Sequence, residues 1–413
     1  MTVLCDGLQY SAFASTLRMV QGNTSRQSME RNRSMAASFV ARRLRPAFVV
    51  ALCVVFTGIL LQKAPAGDRK DKFLVIAYVH GGAEGLEQYP LQYLTHMNYC
   101  FLHLKGNRLS LNHESDTLRI ERLVAYKQKY PGLKVLLSFG GWGGAPTASD
   151  VFMTAEGRRE FAESCKELLV RFGADGIDLD WEYPAIEGYP GHTYRDEDRR
   201  NFTLLVQEMR REFGEKYEIT FAAGGFGPFF YKSVEWDKVM PVVDYVNIMS
   251  YDLVNGNSTV TGHHTALYST PQQDASVASA IRTLDSLGVP RNQVVIGAAF
   301  YARVWENVDS VNRGLYRPGK FKTYAGYRGF EERLWKGHEF VQYWDSTACA
   351  PYAYDAKNGL YATYDDPRSV GLKTKFALEK GLRGIMFWEL TGDVPGRGLL
   401  KAIEDTQEGK TSQ

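Results

Sequence analysis

The sequence predicts a (β/α)8 TIM barrel with a small α+β insertion between strand 7 and helix 7. Three observations predict it. Short apolar or β-branched runs recur after Gly67, separated by longer segments of helical period. The runs are nearly continuously apolar, as parallel strands covered on both faces must be. No G-x-G-x-x-G follows any of them, which argues against an open, doubly wound sheet.

The strand-like runs start at Phe73 (FLVIAYV), Thr95 (THMNYCFLHL), Lys134 (KVLLSFGG) and Asp175 (DGIDLDW). Four more start at Glu218 (EITFAAGG), Asp244 (DYVNIMSYD), Gln293 (QVVIGAAFY) and Gly384 (GIMFWEL). Between them, Phe202, Leu205, Val206, Met209 and Phe213 follow the i, i+3, i+4 spacing of an amphipathic helix. Val277, Ile281, Leu284 and Leu287 do the same, and Gly288 and Pro290 stop that helix. Asp366 before Pro367 reads as an N-cap with proline in the first turn, opening the helix that leads to the last strand.

One connection is out of scale. Residues 306–364 are rich in Tyr, Trp and Gly, with short strand-like runs and a KNG turn signal. A structureless loop of that length is improbable, so the segment is expected to be an α+β insertion. After strand seven it lies at the C-terminal rim, where such barrels carry their sites, and it should form one wall of a cleft. The barrel is then expected from residues 67–305 and 365–413.

Residues 1–66 read as a leader. Arg42, Arg43 and Arg45 precede the apolar run AFVVALCVVFTGILL at residues 47–61, which is short for a membrane span, and Ala64 and Ala66 offer an A-x-A-like cleavage site. Export is therefore expected, secreted, periplasmic or outward-facing, with contact to a membrane only through an uncleaved leader. Met35 would start a signal of ordinary proportions. A net charge of +2, with Lys and Arg interspersed among Asp and Glu, offers no concentrated basic surface for nucleic acid. Cys100, Cys165 and Cys349 remain after the leader, form no C-x-x-C pair, and are expected to be free thiols.

The segment FGADGIDLDWEYP is the most informative. Alternate strand residues share a face, so Asp178, Asp180 and Glu182 aim into the barrel, Glu182 nearest the mouth, while Leu179 and Trp181 face outward. Carboxyl groups packed this closely cannot all ionise, so at least one keeps its proton near neutral pH. A protonated carboxyl in a partly dry cleft is what general acid catalysis requires. A Ca²⁺ or Mg²⁺ site could use the same acids, but no further oxygen-rich ligand set accompanies them. Neither metal nor cofactor is expected. Asp175 is out of phase and reads as structural.

DGIDLDWE resembles the D-x-x-D-x-D-x-E signature of the family-18 glycoside hydrolases, the chitinases. SFGGW (Ser138 to Trp142), MSYD (Met249 to Asp252), FYAR (Phe300 to Arg303) and MFWE (Met386 to Glu389) agree in order, and the resemblance runs over residues 73–400. It implies that Glu182 protonates the glycosidic oxygen and that the substrate's own 2-acetamido group is the nucleophile. Asp180 would orient that group and steady the resulting positive ring, sharing a proton with Asp178, while Tyr251 would hydrogen-bond the acetamide oxygen. Trp388 would floor the −1 sugar and Trp142 would stack on the +1 sugar. Tyr301 and Arg303 would hold the side wall, with Met249, Asp252 and Phe101 also lining the substrate site. Tyr78 and Ser138 would support Asp178 from below, Tyr78 counted as well among the substrate contacts.

The resemblance thus implies a monomeric enzyme acting on chitin or chitooligosaccharides with retention. Two alternatives remain open at this point. A chitin-binding lectin on the same barrel would lack the acid or its Asp partner, both present here. An endo-β-N-acetylglucosaminidase acting on N-glycans would generally lack the large insertion.

Overall fold

A computed structural model describes residues 72–82 and 84–410. The expected leader, its cleavage site, Met35, Cys5 and Cys53 lie outside the described residues. Eight parallel strands close into a barrel. They are β1 Leu74–His80, β2 His96–Lys105, β3 Lys134–Gly140, β4 Gly176–Asp180, β5 Glu218–Gly224, β6 Tyr245–Met249, β7 Val294–Ala299 and β8 Gly384–Trp388. Each pairs with its successor, and β8 returns to β1 with Leu74 opposite Gly384 and Ala77 opposite Phe387.

The outer layer holds α1 Glu114–Lys129, α2 Ala155–Phe172, α3 Asp198–Phe213, α4 Val277–Ser286, α5 Pro367–Glu379 and α6 Leu399–Gln407. Their ends follow local chemistry. Asp366 accepts the Ser369 N–H at the start of α5, and Ser276 caps α4 reciprocally with Ser279. The connection from β1 to β2 differs from the expected helix and holds two short 3₁₀ turns among its described residues. Gly81, Gly82, Gly85 and Pro90 in that stretch oppose a continuous helix. Two short helices, Gly227–Lys232 and Trp236–Val239, cross from β5 to β6.

The two-residue period of the strands divides the apolar side chains into two shells. Val75, Ile177, Leu179, Phe221 and Ile296 belong to the large core between strands and helices. Leu74, Ile76, Tyr78, Tyr245, Val295 and Met386 fill the barrel interior. Trp181 lies in the outer shell as expected, its ring 5.2 Å from Phe152 and 6.4 Å from Phe202.

A second, five-stranded antiparallel sheet follows β7. Its first strand is Tyr301–Glu306, so the sheet starts five residues before the boundary expected at 306. The chain leaves the barrel at Phe300, whose N–H reaches the Trp388 carbonyl at 2.9 Å and whose ring stacks on Phe387 at 4.1 Å. FYAR is therefore divided, with Tyr301 and Arg303 on the second sheet rather than on strand seven. Cys100 and Cys165 are buried free thiols, and Cys349 is a free thiol in partial contact with solvent.

Leu179 is about fully enclosed in the outer shell, at 1% exposure. Leu179→Ala should lower the unfolding free energy by about 2–5 kcal/mol. The check is the urea unfolding midpoint, which should fall without loss of barrel secondary structure.

Candidate active site

The inward positions of β4 carry a file of acids, and the neighbouring strands supply its partners. Asp178 is fully buried and takes four hydrogen bonds. Tyr78 Oη on β1 and Ser138 Oγ on β3 each donate to Oδ2 at 2.9 Å. Thr220 Oγ1 on β5 and Asn247 Nδ2 on β6 donate to Oδ1 at 2.7 and 3.1 Å. Burial pushes the Asp178 carboxyl up, and these donors pull it back only in part, so it stays above its ordinary value.

Asp180, one step nearer the mouth, has no such support. It is buried, and its Oδ1 has no hydrogen-bond partner among the described residues. Burial, then the adjacent Glu182 and Asp178 charges, hold its carboxyl well above the usual range, which favours its neutral form.

Glu182 lies two residues past the end of β4, partly buried at the mouth. Burial raises its pKa to about 7, with the Tyr183 hydroxyl opposing the rise and the Asp252 charge adding to it. Asp252 behaves oppositely. Burial pushes it up, yet the His264 ring and the Arg303 guanidinium hold it well below the usual carboxylate range. Arg303 grips both carboxylate oxygens, with Nη2 at 2.5 Å from Oδ2, and Tyr301 Oη donates to Oδ1 at 2.7 Å. The Asp252 backbone sits at φ 56°, a strained conformation for a non-glycine residue that these contacts stabilise.

Above the acids lies an aromatic floor. Trp388, at the end of β8, stacks on Phe101 at 5.6 Å and 15° and leans on Tyr78 at 5.9 Å. Tyr251 packs inside the barrel over Gly297, where an added Cβ would come within 2.7 Å of its ring. Its hydroxyl is pushed up by burial, then by the Asp180, Asp252 and Glu182 charges around it. Met249 is partly buried against the same interior cluster. Trp142, just past β3, is 54% exposed and stands 6.4 Å from the Tyr183 ring. The peptide bonds Cys100–Phe101, Glu182–Tyr183 and Trp388–Glu389 are cis.

Asp175 stands apart from this cluster. It pairs with Lys127 at 2.7 Å and accepts the Val135 N–H at 2.8 Å, fastening the start of β4. Thr220, Asn247, Tyr183 and His264 join the site without having been singled out from sequence. Thr220 and Asn247 had a readable signal, a polar residue in the inward phase of an otherwise apolar run.

The profile described as glycosyl hydrolases family 18 matches residues 74–393. Chitinase A1 of Niallia circulans is 35% identical over 299 residues, 66% of this chain and 42% of that relative, so the match spans less than half of that protein. A family 18 N-acetylglucosaminidase structure from Paenibacillus barengoltzii has a TM-score of 0.73 at 34% identity, covering 81% of this chain and 99% of that one. A chitinase structure from Bacillus thuringiensis has a TM-score of 0.77 at 28% identity, covering 83% and 70%.

Glu182 must hold its proton to donate it, so turnover should fall as pH rises through about 7. Asp252→Asn removes a negative neighbour and makes ionisation of Glu182 easier. The alkaline limb of the kcat/KM–pH profile should therefore move to lower pH, and a move to higher pH would contradict the role given to Asp252.

Proposed function

The chain belongs to family 18 of the glycosyl hydrolases and is a glycoside hydrolase of the chitinase type, and on that premise we propose that it cleaves β-1,4-linked N-acetylglucosamine chains with retention, by substrate-assisted catalysis. The observation that carries the mechanism is the state of the carboxyl groups. Glu182, with a pKa raised to about 7, is the acid at the mouth. The one strongly ionised carboxylate beside it, Asp252, has both oxygens held by Arg303 and Tyr301. The neutral form of Asp180 is favoured and Asp178 is enclosed by four donors, so neither is free to attack the anomeric carbon. The nucleophile then has to come from the substrate.

Glu182 donates its proton to the glycosidic oxygen as the 2-acetamido carbonyl oxygen closes on the anomeric carbon. The leaving sugar departs and an oxazolinium ring remains. Asp180, with an oxygen free of protein partners, accepts the acetamide N–H, and Tyr251 donates to the acetamide oxygen. As positive charge builds on the ring, Asp180 gives up its proton toward Asp178 and faces the ring as an anion. The Glu182 carboxylate then takes a proton from water, which opens the ring from the face the leaving group left. Retention follows. Trp388 floors the −1 sugar and Trp142 carries the +1 sugar.

A lectin reading is disfavoured because the acid and both aspartates are present. An N-glycan endoglycosidase is disfavoured by the five-stranded sheet after β7. The Arg-flanked apolar run at residues 47–61 supports export of the enzyme to where such polymers lie.

Glu182→Gln should lower kcat by at least about 10²-fold while chitohexaose binding, measured by calorimetry, persists. Oligomers with glucosamine in place of N-acetylglucosamine at the −1 position should resist cleavage at that bond. Mass spectrometry of products from partially deacetylated oligomers reads this directly, and cleavage after glucosamine would exclude the substrate-assisted route.

A further inference from the structure

Two large aromatic side chains stay open to solvent on adjacent loops at the barrel mouth. Trp142 follows β3 and is 54% exposed, and Tyr189 follows β4 and is 41% exposed. Their ring centroids are 5.5 Å apart at 71°, and His192 backs Tyr189 at 5.1 Å. On its other side Trp142 meets Tyr183 at 6.4 Å, the residue directly after Glu182. The rings therefore run outward from the acid in the order Tyr183, Trp142, Tyr189.

The loop carrying Tyr189 is held firmly. Asp198, fully buried at the start of α3, accepts Ser149 Oγ at 2.8 Å and the N–H groups of Arg195 at 2.8 Å and Ala185 at 3.4 Å. The Arg195 guanidinium reaches back to Ser149 at 2.7 Å and to Asp150 at 2.5 Å. The two loops are thus joined at their bases. Their tips meet at Gly143, whose φ is 87° and where an added Cβ would come 3.2 Å from the Tyr189 ring. Single exposed aromatics are ordinary on a protein surface. A pair held in fixed relation and continuous with a reaction site has the chemistry of a platform for a ligand with apolar C–H faces.

We propose that Tyr189 extends the Trp142 platform and binds the leaving-group portion of the N-acetylglucosamine chain beyond its first sugar. The inference rests on the reading of the site as a chitin-cleaving one. At 71° to Trp142, Tyr189 is a wall rather than a second floor. It guides the chain as it leaves Trp142 and makes the enzyme favour substrates long enough to reach it.

The test compares kcat/KM for chitohexaose with that for 4-nitrophenyl di-N-acetylchitobioside, whose leaving group is one small ring. In Tyr189→Ala the hexamer-to-aryl ratio should fall about three- to tenfold, the size of an aromatic contact, and Tyr189→Phe should restore it. An unchanged ratio in Tyr189→Ala, or a failure of Tyr189→Phe to restore it, overturns the proposal. A wild-type enzyme that cleaves neither substrate overturns the reading of the site itself.

Discussion

Asp178 receives hydrogen bonds from β1, β3, β5 and β6 at once, through Tyr78, Ser138, Thr220 and Asn247. A carboxylate so placed can be charged in a dry interior, because hydrogen bonds to a charged group are worth more than those between neutral partners. The carboxyl above it inherits the opposite situation. Asp180 faces the Asp178 charge with no donor on one oxygen, so its neutral form is favoured. The protonation pattern of the whole file begins with the saturation of its lowest member. It also depends on closure, since the four donors converge only when the strands form a barrel.

The second sheet enters this electrostatic order through one strand. Tyr301–Glu306 delivers Tyr301 and Arg303 to Asp252, and that grip keeps Asp252 ionised despite burial. An ionised Asp252 in turn helps to keep the proton on Glu182. The addition after β7 is thus more than a wall. It sets a charge that the acid feels, so the fold's largest insertion and its smallest chemical event are coupled.

The barrel was legible because strands buried on both faces advertise themselves as apolar runs, and because a period of two decides which side chains enter the interior. That same period separates Asp178 and Asp180 from Leu179 and Trp181 in the sequence itself. The start of the second sheet was hidden, because VVIGAAFYA, residues 294–302, runs on apolar past the break. Its break at Phe300 carries no Gly or Pro, and only a contact with Trp388 distant in sequence reveals it. The support of Asp178 was half legible. Tyr78 and Ser138 came from resemblance, whereas Thr220 and Asn247 would have followed from asking why polar residues occupy inward positions. Arg303 was read as a wall, and its pairing with Asp252 needed the third dimension.

Everything in the site turns on where its protons reside: Asp180 and Glu182 hold theirs more tightly than Asp178, which four donors surround. The direct measurement is ¹³C NMR of carboxyl-labelled aspartate and glutamate through the neutral range, assigned with Asp180→Asn and Glu182→Gln. A Glu182 signal that titrates near pH 7 is expected, with an Asp180 signal that keeps its protonated position to higher pH than that of Asp178. A Glu182 carboxyl found ionised well below neutral pH, or a proton found on Asp178 rather than Asp180, would contradict this order.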